Sequence, residues 1–178
     1  MAYKFADWVS ADAIIVNGEG YKKIQVNDGL NYGLGVTLTP AKGFQIRLYG
    51  GLNESGVEGK ANIVNMAAFA GYKHGKFTIG AEYNHMLNSS YTEGNDQFGY
   101  SVFGSFKVAK YTELYARLDD LYSNNDWNIA KDERAAILGA QFKLGKYVKI
   151  APNFRMSMPK ADGSKIGYSA YVNCYFGF

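Results

Sequence analysis

Residues 165–178 constrain the chain most. Counting back from Phe178 in steps of two gives Phe176, Cys174, Val172, Ala170, Tyr168 and Ile166, all apolar or aromatic. The interleaved set, Gly177, Tyr175, Asn173, Tyr171, Ser169, Gly167 and Lys165, is small, polar or amphipathic. Successive side chains on a strand point to opposite faces, so this stretch is a strand with one greasy and one wet face. The alternation runs about twice the usual strand length. A soluble sheet shows such a pattern over a few residues; this one extends far enough to cross a bilayer and ends on an aromatic.

The same alternation recurs along the chain. Val9, Ala11, Ala13 and Ile15 form one apolar register, and Leu30, Tyr32, Leu34, Val36 and Leu38 the next. Phe44, Ile46 and Leu48 follow, then Val64, Met66, Ala68, Ala70 and Tyr72, then Phe77, Ile79, Ala81 and Tyr83. In the second half the register is Phe98 to Phe106, Leu114 to Leu118, Ala136 to Leu144 and Val148 to Met158, each taken every second residue. This predicts about ten strands of roughly 9 to 13 residues, the length a tilted strand needs to cross a membrane. Residues 3–5 read as the tail of a further strand running into a turn at Ala6 and Asp7.

Connections alternate between tight turns (40–43, 73–76, 109–110, 145–146) and longer polar loops (18–29, 53–60, 88–96, 123–132, 160–164). Transmembrane barrels show this asymmetry, with short turns on the periplasmic side and long loops outside. Aromatics on the apolar register fall in two groups. Phe44, Tyr72, Phe77, Phe106, Phe142, Phe176 and Phe178 lie toward the short turns, while Tyr32, Tyr83, Phe98, Tyr100, Phe154 and Tyr168 lie toward the long loops. Two aromatic belts around an aliphatic band mark the two membrane interfaces. A soluble sandwich would instead concentrate its aromatics at strand centres. The expected fold is therefore all-β, an antiparallel transmembrane β-barrel of the outer membrane of a Gram-negative bacterium.

Composition fits without adding much. The chain has 178 residues with 21 Gly, 15 Tyr and 11 Phe against 3 Pro, and 47% of its residues are hydrophobic. Barrels look ordinary on that measure because each lipid-facing residue is offset by a lumen-facing one. No run reaches the length of a transmembrane helix. A net charge of +3 gives no footprint for nucleic acid, so none is expected as a partner. The single Cys174 excludes an intrachain disulfide and falls on the apolar register, where a thiol acts as a small hydrophobe. The opening residues MAYKFADW have no charged, apolar and small-residue succession of a signal peptide. Residues 1–178 are thus expected to be one barrel domain, an N-terminally truncated part of a larger barrel.

The stretches DWVSADAIIVNGEGYKKIQ, YGLGVTLTPAKGFQIRLY and AGYKHGKFTIGAEYNHMLN, with the C-terminal VKIAPNFRM and YVNCYFGF, resemble outer-membrane porins, in particular the C-terminal part of the phosphate-selective porin O/P group. The resemblance implies a trimer-forming or monomeric diffusion channel, a water-filled pore for small hydrophilic solutes or anions. The N-terminal strands and any constriction loop of such porins have no counterpart here, so selectivity does not carry over. Phe178 resembles the terminal aromatic read by the outer-membrane insertion machinery and is expected to act as an assembly signal.

The polar register supplies the candidate pore-lining residues: Arg47, Lys73, Glu82, Glu113, Arg117, Asp119, Lys143, Lys149 and Arg155, with Asp12 and Lys165 on the same register. Rings of side-chain charge set selectivity in a pore, and the cations outnumber the anions. The plainer reading is that these charges pair across strands and solvate the wall. Glu113 and Arg117, four residues apart on one face, are expected to find partners on adjacent strands.

No catalytic residue is expected. Asp119, Asp120 and His85 fall near the long-loop end, but no Asp lies two residues before a His, so the pattern of the barrel proteases is not reproduced. Two His and one Cys offer no metal spacing, and no cofactor is expected. The partners expected are membrane lipid, diffusing solutes and the insertion machinery. The alternative is a non-conducting barrel that acts structurally or adhesively through its loops, although the loops at 18–29 and 123–132 read as connectors.

Overall fold

The computed structural model describes residues 1–19 and 24–177. Its architecture is one antiparallel sheet of eleven strands in simple sequence order. These are β1 (Ala2–Ala6), β2 (Val9–Asn17), β3 (Leu30–Ala41), β4 (Phe44–Asn53), β5 (Ile63–His74), β6 (Phe77–Leu87), β7 (Gln97–Ala109), β8 (Thr112–Ser123), β9 (Glu133–Lys143), β10 (Val148–Pro159) and β11 (Gly167–Phe176). The stub expected at residues 3–5 is a strand in its own right and accounts for the eleventh. Phe178 lies outside the described residues.

Pairing keeps the two registers apart through the whole sheet. Leu38 sits opposite Val9 and Ile46, Ala70 opposite Ile46 and Ala81, and Val102 opposite Ala81 and Leu118. Leu138 sits opposite Ala116 and Phe154, and Ala170 opposite Phe154. A slip of one residue along a pair would mix the faces; among the described residues such shifts occur at the turn ends of β1–β2, β3–β4 and β7–β8, past the apolar band. The aromatics fall in rows as expected: Phe44 is opposite Tyr72, Phe77 opposite Phe106, and Tyr83 opposite Tyr100.

The described residues include no buried hydrophobic side chain. Leu138 is 65% exposed, Val172 65% and Leu34 57%. With one sheet and no second layer, nothing among the described residues covers this band, and burying apolar surface is the main driving force of folding. Lipid must cover it. The soluble sandwich fails here, since its two sheets would bury such residues against each other. Among the described residues no helix is long and apolar enough to cross a membrane; the membrane is crossed by strands.

The chain reverses at 7–8, 42–43, 75–76, 110–111 and 144–147 on one side, and at 18–29, 54–62, 88–96, 124–132 and 160–166 on the other. Gly43 (φ 81°) and Gly75 (φ 55°) adopt the left-handed backbone that these tight turns require. Pro40 belongs to β3, within the irregular pairing between Leu38 and Ala41, where its missing N–H breaks no regular ladder bond. The turn expected at 40–43 is correspondingly narrower. Among the described residues single-turn 3₁₀ helices occur only in the long loops, at Ser89–Tyr91, Asn124–Asp126 and Ile129–Lys131.

Candidate functional site

The face opposite the lipid band is the inner wall. All nine candidate pore-lining residues occupy this register. Arg47 faces Thr37 and Phe69, Lys73 faces Thr78, and Glu82 faces Phe69 and Ser101. Glu113 faces Gln141, Arg117 faces Phe103 and Ile137, and Asp119 faces Ser101 and Ala135. Lys143 and Lys149 face each other, and Arg155 faces Ile137 and Ser169. Lys165 falls outside the strands, in the loop at 160–166.

Two arginines are neutralised. Arg47 reaches across β3 to Asp12 on β2, Nη1 to Oδ1 at 2.7 Å and Nη2 to Oδ2 at 3.0 Å, and also donates to Thr37 Oγ1 at 2.9 Å. The fork passes over Gly35, where a Cβ would collide with the guanidinium. A planar guanidinium suits this two-bonded geometry. Arg117 finds its expected neighbour on an adjacent strand, donating to Ser101 Oγ on β7 at 3.0 Å, and its ion-pair partner on its own strand, Nε to Asp119 Oδ2 at 2.8 Å. Residues two apart share a strand face, and the arginine side chain is long enough to turn back along it. Ser101 also donates to Asp119, and the Arg117 guanidinium lies 5.5 Å from the Phe103 ring. Glu113 does find a partner on the adjacent strand, the Ser105 hydroxyl.

The remaining charges are unevenly placed. Lys73, Lys107, Lys143, Lys149 and Arg155 take part in no ion pair among the described residues. Glu82, Glu113 and Glu133 accept from the neutral groups of Asn84, Ser105 and Ser157. Lys107 and Glu133 escaped the sequence reading, because they lie where β7 and β9 run beyond the apolar pattern; carrying the period of two to the turns would have found them. The four lysines all sit within a few residues of the short turns. Beside them Ser105, Glu113, Tyr115, Gln141, Lys149 and Asn173 line a hollow of about 430 Å³. Higher on the wall, Arg155 lies 4.5 Å from the Tyr171 ring and donates to Asn153 at 2.8 Å.

Aromatic side chains on the wall lie over glycines. A Cβ at Gly33 or Gly51 would come within 2.7 or 2.6 Å of the Tyr49 hydroxyl, and one at Gly139 within 2.5 Å of the Tyr115 ring. Phe69 and Phe103 stack at 6.2 Å above Gly80. The wall thus keeps its rings flat along the sheet. Asp119 and Asp120 point to opposite faces, and His85 lies on the lipid side, stacked 4.2 Å from Phe98. Among the described residues no group of three or more His, Cys, Asp and Glu could hold a metal.

The long loops are tied together. Asp132 is 1% exposed, and its Oδ2 accepts from Ser123 N at 2.7 Å and Ser123 Oγ at 2.6 Å. Lys160 N donates to Asp132 O, Asn124 bridges to Asp96 and Gly94, and Trp127 Nε1 donates to Asp96 O at 2.9 Å. The loop at 124–132, read from sequence as a connector, is a built element.

No family model matches the chain, and no curated protein matches it. Among solved structures it is similar to the outer-membrane expressed OmpT of Vibrio cholerae, with a TM-score of 0.67 at 18% identity. The match covers 98% of this chain and 62% of that one, so the chain spans less than two thirds of that protein's length. The fold is that of an outer-membrane β-barrel, and with its lipid-facing band it places the chain in the bacterial outer membrane. The finer resemblance to phosphate-selective porins is not supported, since the likeness reaches only the barrel. The exclusion of an enzyme is withdrawn. It rested on a missing Asp/His spacing, and the likeness to OmpT is one of fold, which hosts many functions and leaves catalysis open.

Proposed function

We propose that the chain forms the wall of a water-filled outer-membrane channel through which small hydrophilic solutes diffuse, anions in preference to cations. The observation that carries this reading is the set of lysines at 73, 107, 143 and 149, inward-facing, gathered near one mouth and outside any ion pair among the described residues. Fixed charge at a constriction or mouth concentrates the opposite ion and sets selectivity. Among the described residues β1 pairs only with β2 and β11 only with β10. An open edge cannot face lipid, so in this proposal further strands close the wall, which widens it toward a water-filled lumen.

Reconstitution of the complete protein into planar bilayers tests the reading. Stepwise conductance is expected, with a reversal potential in a KCl gradient displaced toward chloride. Absence of conductance from folded protein would favour the second reading, a barrel that acts through its loops, which the bonded platform around Asp132 supports.

A further inference from the structure

The outer face carries one polar feature that the wall does not use. Along the outward register of all eleven strands, Asp120 and Arg134 are the only residues among Asp, Glu, Lys and Arg. They sit directly opposite each other on β8 and β9. Arg134 donates to Asp120 Oδ2 through Nε at 3.1 Å and Nη2 at 2.8 Å, while Lys160, just beyond β10, bonds Oδ1. One carboxylate therefore holds two cations side by side, leaving a net single positive charge and unused N–H donors on both. The Arg134 side chain is 54% exposed.

The position along the strands is that of a membrane interface. Tyr122, Tyr100, Phe98 and His85 form a continuous aromatic patch beside the triad, with the Lys160 ammonium 4.8 Å from the Tyr122 ring. Charge on the lipid face is costly at mid-membrane and tolerated at the interface. Directly below, one step along the same strands, Leu118 and Ala136 belong to an apolar groove of about 720 Å³. Ile79, Val102, Phe106, Leu114 and Leu138 wall it, with Gly104 and Ala116 as small residues between them.

A cationic pair set at the interface above an apolar groove is complementary to one class of molecule. We propose that Arg134 and Lys160, positioned by Asp120, seat the phosphate headgroup of a lipid in the leaflet on the long-loop side, with an acyl chain in the groove below. A phosphate oxygen accepts charge-assisted hydrogen bonds from both cations. The carboxylate fixes their spacing and offsets their mutual repulsion. This inference is independent of what passes through the lumen.

The test uses the complete protein, with the strands that close its wall, refolded into phosphatidylcholine nanodiscs that hold a minor fraction of diphosphorylated lipid A, or of the same lipid dephosphorylated. Native mass spectrometry reads the lipid retained. The expected result is retention of the phosphorylated form, reduced about fivefold in K160Q and further in R134Q/K160Q, since each basic residue near a charged membrane surface contributes about that factor. Lys160 lies outside the strands, so K160Q stays folded and the test remains decisive if the double variant does not. Equal retention of the dephosphorylated lipid, or unchanged retention in K160Q, would overturn the proposal. Binding of inorganic phosphate to protein in pure phosphatidylcholine, at the affinity of the lipid, would assign the seat to free phosphate instead. A change in oligomeric state of the variants without a change in lipid would assign it to a second copy of the chain.

Discussion

The two ends of the barrel solve the problem of reversing the chain with different chemistry. At the short-turn end the strands turn at 7–8, 42–43, 75–76, 110–111 and 144–147, with Lys42, Lys76, Lys110 and Lys146 in the turns and Lys73, Lys107, Lys143 and Lys149 just inside them. Only Asp7 and Glu113 offset them there. At the long-loop end the charge is reversed: among the described residues Glu19, Asp28, Glu54, Glu58, Glu93, Asp96, Asp120, Asp126, Asp132, Glu133 and Asp162 outnumber Lys60, Lys131, Arg134, Lys160 and Lys165. That end is held by side-chain bonds between loops. The other turns on tight backbone reversals, with side-chain bonds at the turn of residues 7–8 from Lys4 and Thr39. Charge and order are distributed separately: apart from Lys4 the short-turn lysines take part in no ion pair among the described residues, and Lys110, Lys146 and Lys149 lie over tyrosine rings, while the loop carboxylate at Asp132 is spent on structure.

The contrast can be broken most forcefully at the basic mouth. Replacing Lys73, Lys107, Lys143 and Lys149 together by Gln should abolish or invert the reversal potential in a KCl gradient, with conductance itself retained. The same count of acidic-to-amide changes among Glu54, Glu58, Glu93 and Asp126 should move it much less, because those groups lie in open loops where salt screens them. An unchanged reversal potential in the lysine variant would refute the assignment of selectivity to that mouth.

At the opposite end, Asp132→Ala leaves the buried Ser123 N–H and hydroxyl without their acceptor. The expected cost is about 2 kcal/mol in local opening, read as roughly thirtyfold faster protease cleavage within 124–132. Glu58→Ala, in an exposed loop position, is the control and should leave cleavage unaltered.

Between the ends, Gly139→Ala should destabilise the wall by about 1–2 kcal/mol, because its Cβ would enter the space of the Tyr115 ring. Adding Tyr115→Ala should recover part of that loss relative to Tyr115→Ala alone. A denaturant titration of the four proteins measures the coupling, and strictly additive effects would rule out the ring-over-glycine contact.

The smallest effect belongs to the turn at 7–8. The Lys4 ammonium donates to Asp7 at 2.6 Å and holds its carboxyl below the ordinary value of 3.8. A lowered folded-state pKa contributes stability above the unfolded value and loses it as pH falls through the folded one. The difference in unfolding midpoint between the parent and D7N should therefore be small at pH 7, since the pair is open to water. It should vanish well below pH 3.8. A difference that grew on acidification would contradict the sign.

Much of the molecule was legible from the pattern of residues. Each strand, its outward face and the alternation of turn and loop follow from a period of two, which is a local property of the backbone. The nine wall candidates fell on the inward face for the same reason. Less legible were the partners of those residues. Arg117 has the cross-strand neighbour expected, Ser101, but its ion-pair partner is Asp119 on its own strand, and Lys107 and Glu133 lie past the last apolar residue of their strands. Asp132 looked like one polar loop residue among many; its burial depends on Ser123, Trp127 and the neighbouring loop at 88–96.

By itself the sequence determined the strands, their two faces and the aromatic belts of a membrane-crossing sheet, because a period of two is a local property of the backbone; that no second layer covers the apolar face is seen in the single sheet. Only the tertiary structure decided which charges cancel and which remain. Arg47 meets Asp12, and Asp120 gathers Arg134 and Lys160, across distances in sequence that no local pattern measures. Strand register brings such residues together, and register is set by the pairing of the whole sheet.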